Sequence, residues 1–247
     1  MGLARVILAP NAGPMTLDGT NSYAIAAAAS ATTVIVDPGP DNAGHLAALA
    51  ALNPELVLVT HHHADHTAGS AELHRLTGAP VRALDPALCH GGEPLIDGEL
   101  IEAAGVRIRV LATPGHTDDS VCLHLPDDTA STNGAMLTGD TILGSGTTVL
   151  DGSLADYLES LATLRSFDST AVLPGHGPAL PSIAAACDAL IAHRRMRLDQ
   201  VRAALSELGP DATVQQVTDA VYADIDPAVR FAAEQSVQSQ LEYLRAL

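Results

Sequence analysis

Lysine and tryptophan are both missing from this chain, and its 247 residues include only three cysteines, four tyrosines and two phenylalanines. All twelve basic residues are therefore arginines, which by itself carries no mechanistic weight. With so few aromatics, a core has to be built mainly from Ala, Val, Leu and Ile. Cys89, Cys122 and Cys187 are too few and too scattered for a disulfide framework. No apolar run reaches the roughly 20 residues that span a bilayer, the Ala26–Ala29 tract being far too short, so no membrane partner is expected. Residues 1–10 hold one arginine, Arg5, and neither a long apolar stretch nor a cleavage site. The expectation is a soluble, cytoplasmic protein.

Positive charge is also scarce, and the formal net charge is −17. Such a shell repels polyanions and argues against broad, non-specific nucleic-acid binding. It does not exclude a nucleic-acid substrate, because bound divalent metals make a site locally positive. What the chain does have is apolar content of 47%, ordinary for a packed α/β enzyme.

Along the chain, Asn11–Thr20 reads as a loop, followed by paired strands at Tyr23–Ala28 and Thr32–Val36. The second stops at Asp37-Pro38-Gly39-Pro40. Asp41 or Asn42 can cap a helix with an apolar stripe of Leu46, Leu49 and Leu52. Leu56–Thr60 is a continuous apolar run, the mark of a strand buried on both faces. A helix through Leu73 and Leu76 comes next. Strands follow at Val81–Leu84, Val106–Ala112, Val121–Leu125, Ala135–Thr138 and Ala171–Leu173. Ser153 or Asp151 caps a helix carrying Leu154, Tyr157, Leu158, Leu161 and Leu164. From Ser182 the pattern is helical, with breaks at Gly209-Pro210 and near Asp226-Pro227. The expected division is a catalytic domain over residues 1–193 and a small helical unit over residues 194–247.

Several of these strands end in a turn bearing His or Asp, and the carboxyl ends of strands are where α/β folds place their sites. His61-x-His63-x-Asp65-His66 puts four ligand-type side chains into six residues. His116, Asp140 and His176 stand at three further strand ends. Imidazoles with carboxylates suit zinc, and also iron, manganese or nickel. One tetrahedral ion cannot use seven ligands, whereas two ions sharing a bridging carboxylate can.

With His61-x-His63-x-Asp65-His66, Thr113-Pro114-Gly115-His116-Thr117, Thr138-Gly139-Asp140 and Pro174-Gly175-His176-Gly177 in this order, the chain resembles the metallo-β-lactamase superfamily over residues 11 to 194. Asn11–Tyr23, Gly139–Gly144 and Asp151–Tyr157 look like the β-lactamase-like protein 2 branch of that superfamily. The resemblance implies a four-layer αββα sandwich with a helical, winged-helix-like C-terminal part. It also implies that His61, His63 and His116 hold one divalent metal ion and Asp65, His66 and His176 a second, with Asp140 bridging. Zinc is the expected metal, with iron or manganese as alternatives. Asp37 is expected to orient a ligand histidine, or else only to form a turn before Pro38.

The implied chemistry is hydrolysis by a hydroxide shared between two ions, with Asp65 as the proton-transferring catalytic residue. Ser120, Ser153 and the cysteines are expected to be structural, and His62 to point away from the site. His45, His74, His90, His124 and His193 lack ligand spacing and read as ordinary residues, while Tyr157 is either core or substrate-contacting. Antibiotic-degrading relatives carry Cys where this chain has Asp140, the flavodiiron branch needs a further flavin domain, and glyoxalase II-type relatives often use Lys to hold glutathione. The expected substrate is a small ester or thioester. Single-stranded RNA is the alternative, with a mononuclear iron sulfur dioxygenase or a metal or redox sensor further behind. If RNA is bound, Arg194, Arg195 and Arg197 are the basic cluster expected to meet its phosphates.

Overall fold

A computed structural model describes residues 2–129 and 131–246. Strands β1 (Ala4–Leu8), β2 (Asn21–Ile25), β3 (Thr33–Val36), β4 (Pro54–Leu58) and β5 (Val81–Arg82) form one sheet in that order. Helix α1 (Ala43–Ala50) follows β3, and α2 (Ala64–Thr67) and α3 (Ser70–Thr77) follow β4. The second sheet runs β10 (Ala171–Pro174), β9 (Ala135–Gly139), β8 (Val121–Leu125), β7 (Val106–Ala112), β6 (Leu100–Ala103). Helix α4 (Leu154–Arg165) lies between β9 and β10, and α5 (Ile183–Leu208), α6 (Val214–Val221) and α7 (Arg230–Arg245) close the chain.

The strand sequences explain the layering. Side chains alternate across a strand, so a run of apolar residues feeds two cores at once. Val34, Val36, Leu56 and Leu58 face the second sheet, where Ile108, Val110, Leu123 and Leu137 meet them. Their neighbours Ile35, Val57 and Val59 face outward onto Leu46, Leu49 and Leu73 of α1 and α3. On the far side, Cys122, Met136 and Val172 pack under α4 and α5 through Tyr157, Leu161, Ile183 and Leu190. The result is the expected αββα sandwich. Truncating one of these fully buried leucines to Ala costs about 2–5 kcal/mol.

Local signals act where the sequence places them. Asn42, not Asp41, caps α1 by accepting from the His45 N–H. Ser153, not Asp151, caps α4 through the Ala155 and Asp156 N–H groups. Two strands lie outside the elements expected from the sequence, β1 and β6. Both are sheet edges, where one-sided pairing tolerates exposed residues such as Val6 and Leu8 and blurs the alternation. Helix α5 runs without a break through residues 193 and 194. Beyond that point Val201, Ala204, Val217, Val237 and Leu241 form a separate apolar cluster among α5, α6 and α7. None of the described helices is long and apolar enough to cross a membrane.

Candidate metal centre

The expected site residues lie just beyond the carboxyl ends of strands. Asp37 follows β3, His61 to His66 follow β4, His116 follows β7, Asp140 follows β9 and His176 follows β10. Cross-sheet hydrogen bonds hold these ends together: Val121 N–H to the Thr60 carbonyl and Asn21 N–H to the Gly175 carbonyl, both 2.8 Å. Glycine makes one close approach possible. A Cβ at Gly115, where φ is +134°, would stand 2.4 Å from the Tyr157 Cα, so only glycine lets the His116 turn rest on α4.

Two histidine clusters result. In the first, His63 Nδ1 lies 3.2 Å from His61 Nε2 and 3.1 Å from His116 Nε2. His116 Nδ1 donates to the Val149 carbonyl at 2.7 Å, leaving Nε2 as a bare lone pair. Thr60 Oγ1 donates to Asp37 at 2.8 Å and lies 3.0 Å from His61 Nδ1, so the hydroxyl accepts from that N–H and His61 Nε2 is bare as well. Two lone pairs and a third nitrogen thus converge with at most one proton among them.

In the second cluster, His66 Nδ1 donates to Asp37 Oδ2 at 2.9 Å and His176 Nδ1 to the Gly19 carbonyl at 3.2 Å. Their Nε2 atoms face each other at 3.2 Å. Asp65 Oδ2 lies 3.0 Å from His176 Nε2. Asp140 stands between the clusters, 3.5 Å from His66 Nε2 and 3.9 Å from His116 Nε2. Its Oδ1 is buried with no hydrogen-bond partner, and a Cβ on Gly175 would come within 2.5 Å of it.

Electrostatics divide the histidines. Burial, reinforced by the neighbouring His66, pushes His61 well below the ordinary imidazole range. Burial likewise holds His116 down, to about 4, despite the opposing Asp140. His63 is lowered by burial and by His62. For His66 and His176 burial is outweighed by Asp140 together with Asp37 or Asp65, and His176 is raised to about 10. Burial opposes ionisation of Asp140 and Asp65, but the histidine neighbours win and hold both carboxyls below the ordinary range.

The donor sets fit divalent metal ions. His61, His63 and His116 form one compact group, His61, His66 and Asp140 a second, and Asp65, His66 and His176 a third. Convergent lone pairs and an unpartnered buried carboxylate oxygen are what a cation satisfies and what a hydrogen-bond network does not.

A family model described as the metallo-beta-lactamase superfamily matches residues 15–176. The chain belongs to this superfamily. It is 34% identical to the "Beta-lactamase-like protein 2 homolog" of Caenorhabditis elegans, over 96% of this chain and 82% of that protein. That relative bears the branch name expected from the sequence. The "Atrochrysone carboxyl ACP thioesterase" of Aspergillus fumigatus is 31% identical over 82% of this chain and 64% of its own length. A metallo-beta-lactamase family protein of Thermus thermophilus superimposes with a TM-score of 0.81 at 22% identity, covering 99% of this chain and 93% of that one.

In this superfamily member the ligand-type residues open into a cavity of about 590 Å³. His63, Asp65, His116 and Asp140 line it together with the apolar residues Leu143, Val149, Ile225, Val229 and Phe231. The C-terminal helices thus help to build the pocket. Gln235 of α7 donates to Asp151 at 2.7 Å and Ser239 to the Gly152 carbonyl at 2.9 Å, bracing the loop that receives His116.

The structure also places the other residues that the sequence singles out. Tyr157 is core: it is fully buried and donates to the Thr141 carbonyl at 2.9 Å. His62 is turned outward, as expected, and pairs with Asp119 at 2.7 Å. His193 is outside the ligand-type groups, as expected, and lines the cavity. Arg194, Arg195 and Arg197 do not form one basic surface. Arg194, which is buried, and Arg197 both line the cavity, whereas Arg195 faces a separate groove beside Tyr243. A helix turns about 100° per residue, so neighbours at i and i+1 are sorted to different faces. Thr60 and the Val149 carbonyl are not among the groups that the sequence singles out. A polar residue closing the Leu56–Thr60 run is a signal for the first, and a backbone carbonyl leaves none.

Proposed function

We propose that this metal-dependent hydrolase cleaves a small acyl thioester, or a comparable ester, using two divalent ions, zinc before iron or manganese. His61, His63 and His116 would hold one ion, Asp65, His66 and His176 the other, and Asp140 would lie between them. Bound there, the ions supply Lewis acidity and bring the pKa of a water from 15.7 to about 7.

The protein's own groups divide the remaining work. Asp65 is the more exposed of the two central carboxylates and faces the cavity. Held ionised beside His176, it accepts a proton from the attacking water and returns it to the departing thiolate as the C–O bond forms and the C–S bond breaks. Asp37 fixes the orientation of His66, and the Val149 carbonyl does the same for His116. The apolar lining takes up the acyl group and excludes bulk water.

The observation that carries this reading is the cavity, in which apolar residues line the same space as the ligand cluster. Relatives named as thioesterases support it. Recognition of an RNA strand needs an extended tract of phosphate contacts, and a groove apart from the cavity takes Arg195 away from Arg194 and Arg197, which favours the small substrate. The test is kcat/KM of the metal-loaded chain on an acyl thioester, an ester, a phosphodiester and short RNAs. Thioester turnover well above the others is expected. RNA cleavage without thioester turnover overturns the reading.

A further inference from the structure

Arg75, Arg82, Arg107, Arg165, Arg202 and Arg230 each lie within 4.0 Å of a carboxylate. Among the described residues Arg5, Arg109, Arg194, Arg195, Arg197 and Arg245 have no such partner, and of these Arg194 and Arg197 lie at the ligand-cluster cavity. Arg194 is 2% exposed; its Nη2 donates to the Thr148 carbonyl at 2.6 Å and its guanidinium stands 5.1 Å from the Tyr157 ring centre. The Arg197 guanidinium lies over the Tyr222 ring, 4.5 Å from its centre, and its Nη1 donates to Gln200 at 2.9 Å. The Nε atoms of both are buried without an acceptor.

This arrangement is costly as it stands. Like charges three residues apart on one helix repel, and a buried guanidinium without a counter-charge loses hydration that one carbonyl does not replace. Asp151 also lines the cavity, but its Oδ1 accepts from Gln235 and it lies beyond 4.0 Å from either arginine. A guanidinium held over an aromatic ring is confined in position, and its fork of donors suits a carboxylate or phosphate.

We propose that Arg197, backed by Arg194, is a subsite for an anionic group on the substrate, in the same cavity as the ligand cluster and the apolar residues. The proposal rests on the thioester reading and narrows it. The substrate carries its scissile carbonyl at the histidines and an anionic oxygen group, carboxylate or phosphate, at the arginines. That group is either a carboxylate at the far end of the acyl chain or a phosphate on the thiol carrier.

Three thioesters separate these sources: butyryl-N-acetylcysteamine, which is neutral; glutaryl-N-acetylcysteamine, with a distal carboxylate; and butyryl-4′-phosphopantetheine, with a carrier phosphate. With the metal-loaded full chain, kcat/KM for one anionic substrate should exceed the neutral one by about 10-fold or more, the scale of a charge-assisted hydrogen bond. Arg197→Gln should bring that ratio close to one, and Arg197→Lys should keep part of it. Arg195→Gln, on the other face of α5, should leave the ratio as in the wild type. Calorimetry with phosphopantetheine, pantetheine and glutarate gives a readout independent of turnover, and Arg197→Gln should weaken binding of the favoured anion by about 10-fold.

Equal ratios and equal affinities in wild type and Arg197→Gln would overturn the subsite. If no thioester is hydrolysed by any variant, the thioester reading fails and calorimetry decides the subsite. Arg197-dependent binding of either small anion then keeps it, and binding indifferent to Arg197 ends it.

Discussion

Asp37 Oδ2 accepts a hydrogen bond from His66 Nδ1 at 2.9 Å, with both side chains buried, while its Oδ1 accepts from the Thr60 N–H at 2.8 Å. One carboxylate thus sets the tautomer of a ligand-type histidine and anchors the segment that leads into His61. Asp37 adopts φ +53°, a conformation that Asn shares readily. Asp37→Asn therefore removes the charge without straining the turn. It should lower metal affinity by about 10–100-fold with the fold intact. Competition with a chelator, alongside circular dichroism, checks this; wild-type affinity would remove Asp37 from the site.

Elemental analysis of gently purified protein should find two divalent ions per chain. Stripping them with a chelator should lower the melting temperature, because Asp140 Oδ1 and the convergent imidazoles lose their partner. Adding back zinc should restore it. Recovery of a single iron, however the protein is prepared, would replace the two-ion reading with a mononuclear one.

Asp65→Asn should lower turnover by about 10²-fold or more, the scale of a lost general base. The side chain is partly exposed at the cavity, so circular dichroism should show the fold retained. Near-wild-type turnover with both ions bound would take Asp65 out of the chemistry.

Burial raises the Cys122 and Cys187 thiols to about 12. At pH 8 that leaves about one thiolate in 10⁴, and the thiolate is the reactive form. A thiol reagent should therefore titrate Cys89, which is half-buried, well before the other two. Unfolding in denaturant should release all three. Rapid modification of three thiols in the native protein would contradict the packing beneath α4 and α5.

Much of the site was legible in the chain because ligand chemistry and strand-end placement are both local properties. The apolar run before His61, the Pro-Gly turns before His116 and His176, and the Gly before Asp140 mark each strand end without reference to the others. The continuous apolar run of Leu56–Thr60 likewise marked a strand buried on both faces, while the four layers came only with the family resemblance. Tertiary structure alone decided what the other nitrogen of each histidine touches. Val149 and Gly19 act through backbone carbonyls, which every residue has and no sequence pattern distinguishes. It also decided the fate of the arginines. Arg194, Arg195 and Arg197 read as one basic cluster in sequence, but the faces of α5 meet different neighbours: Tyr157 and Thr148, an outer groove, and Tyr222. Charge is written in the sequence, whereas whether it meets solvent, a ring or a substrate depends on what packs against that face of the helix.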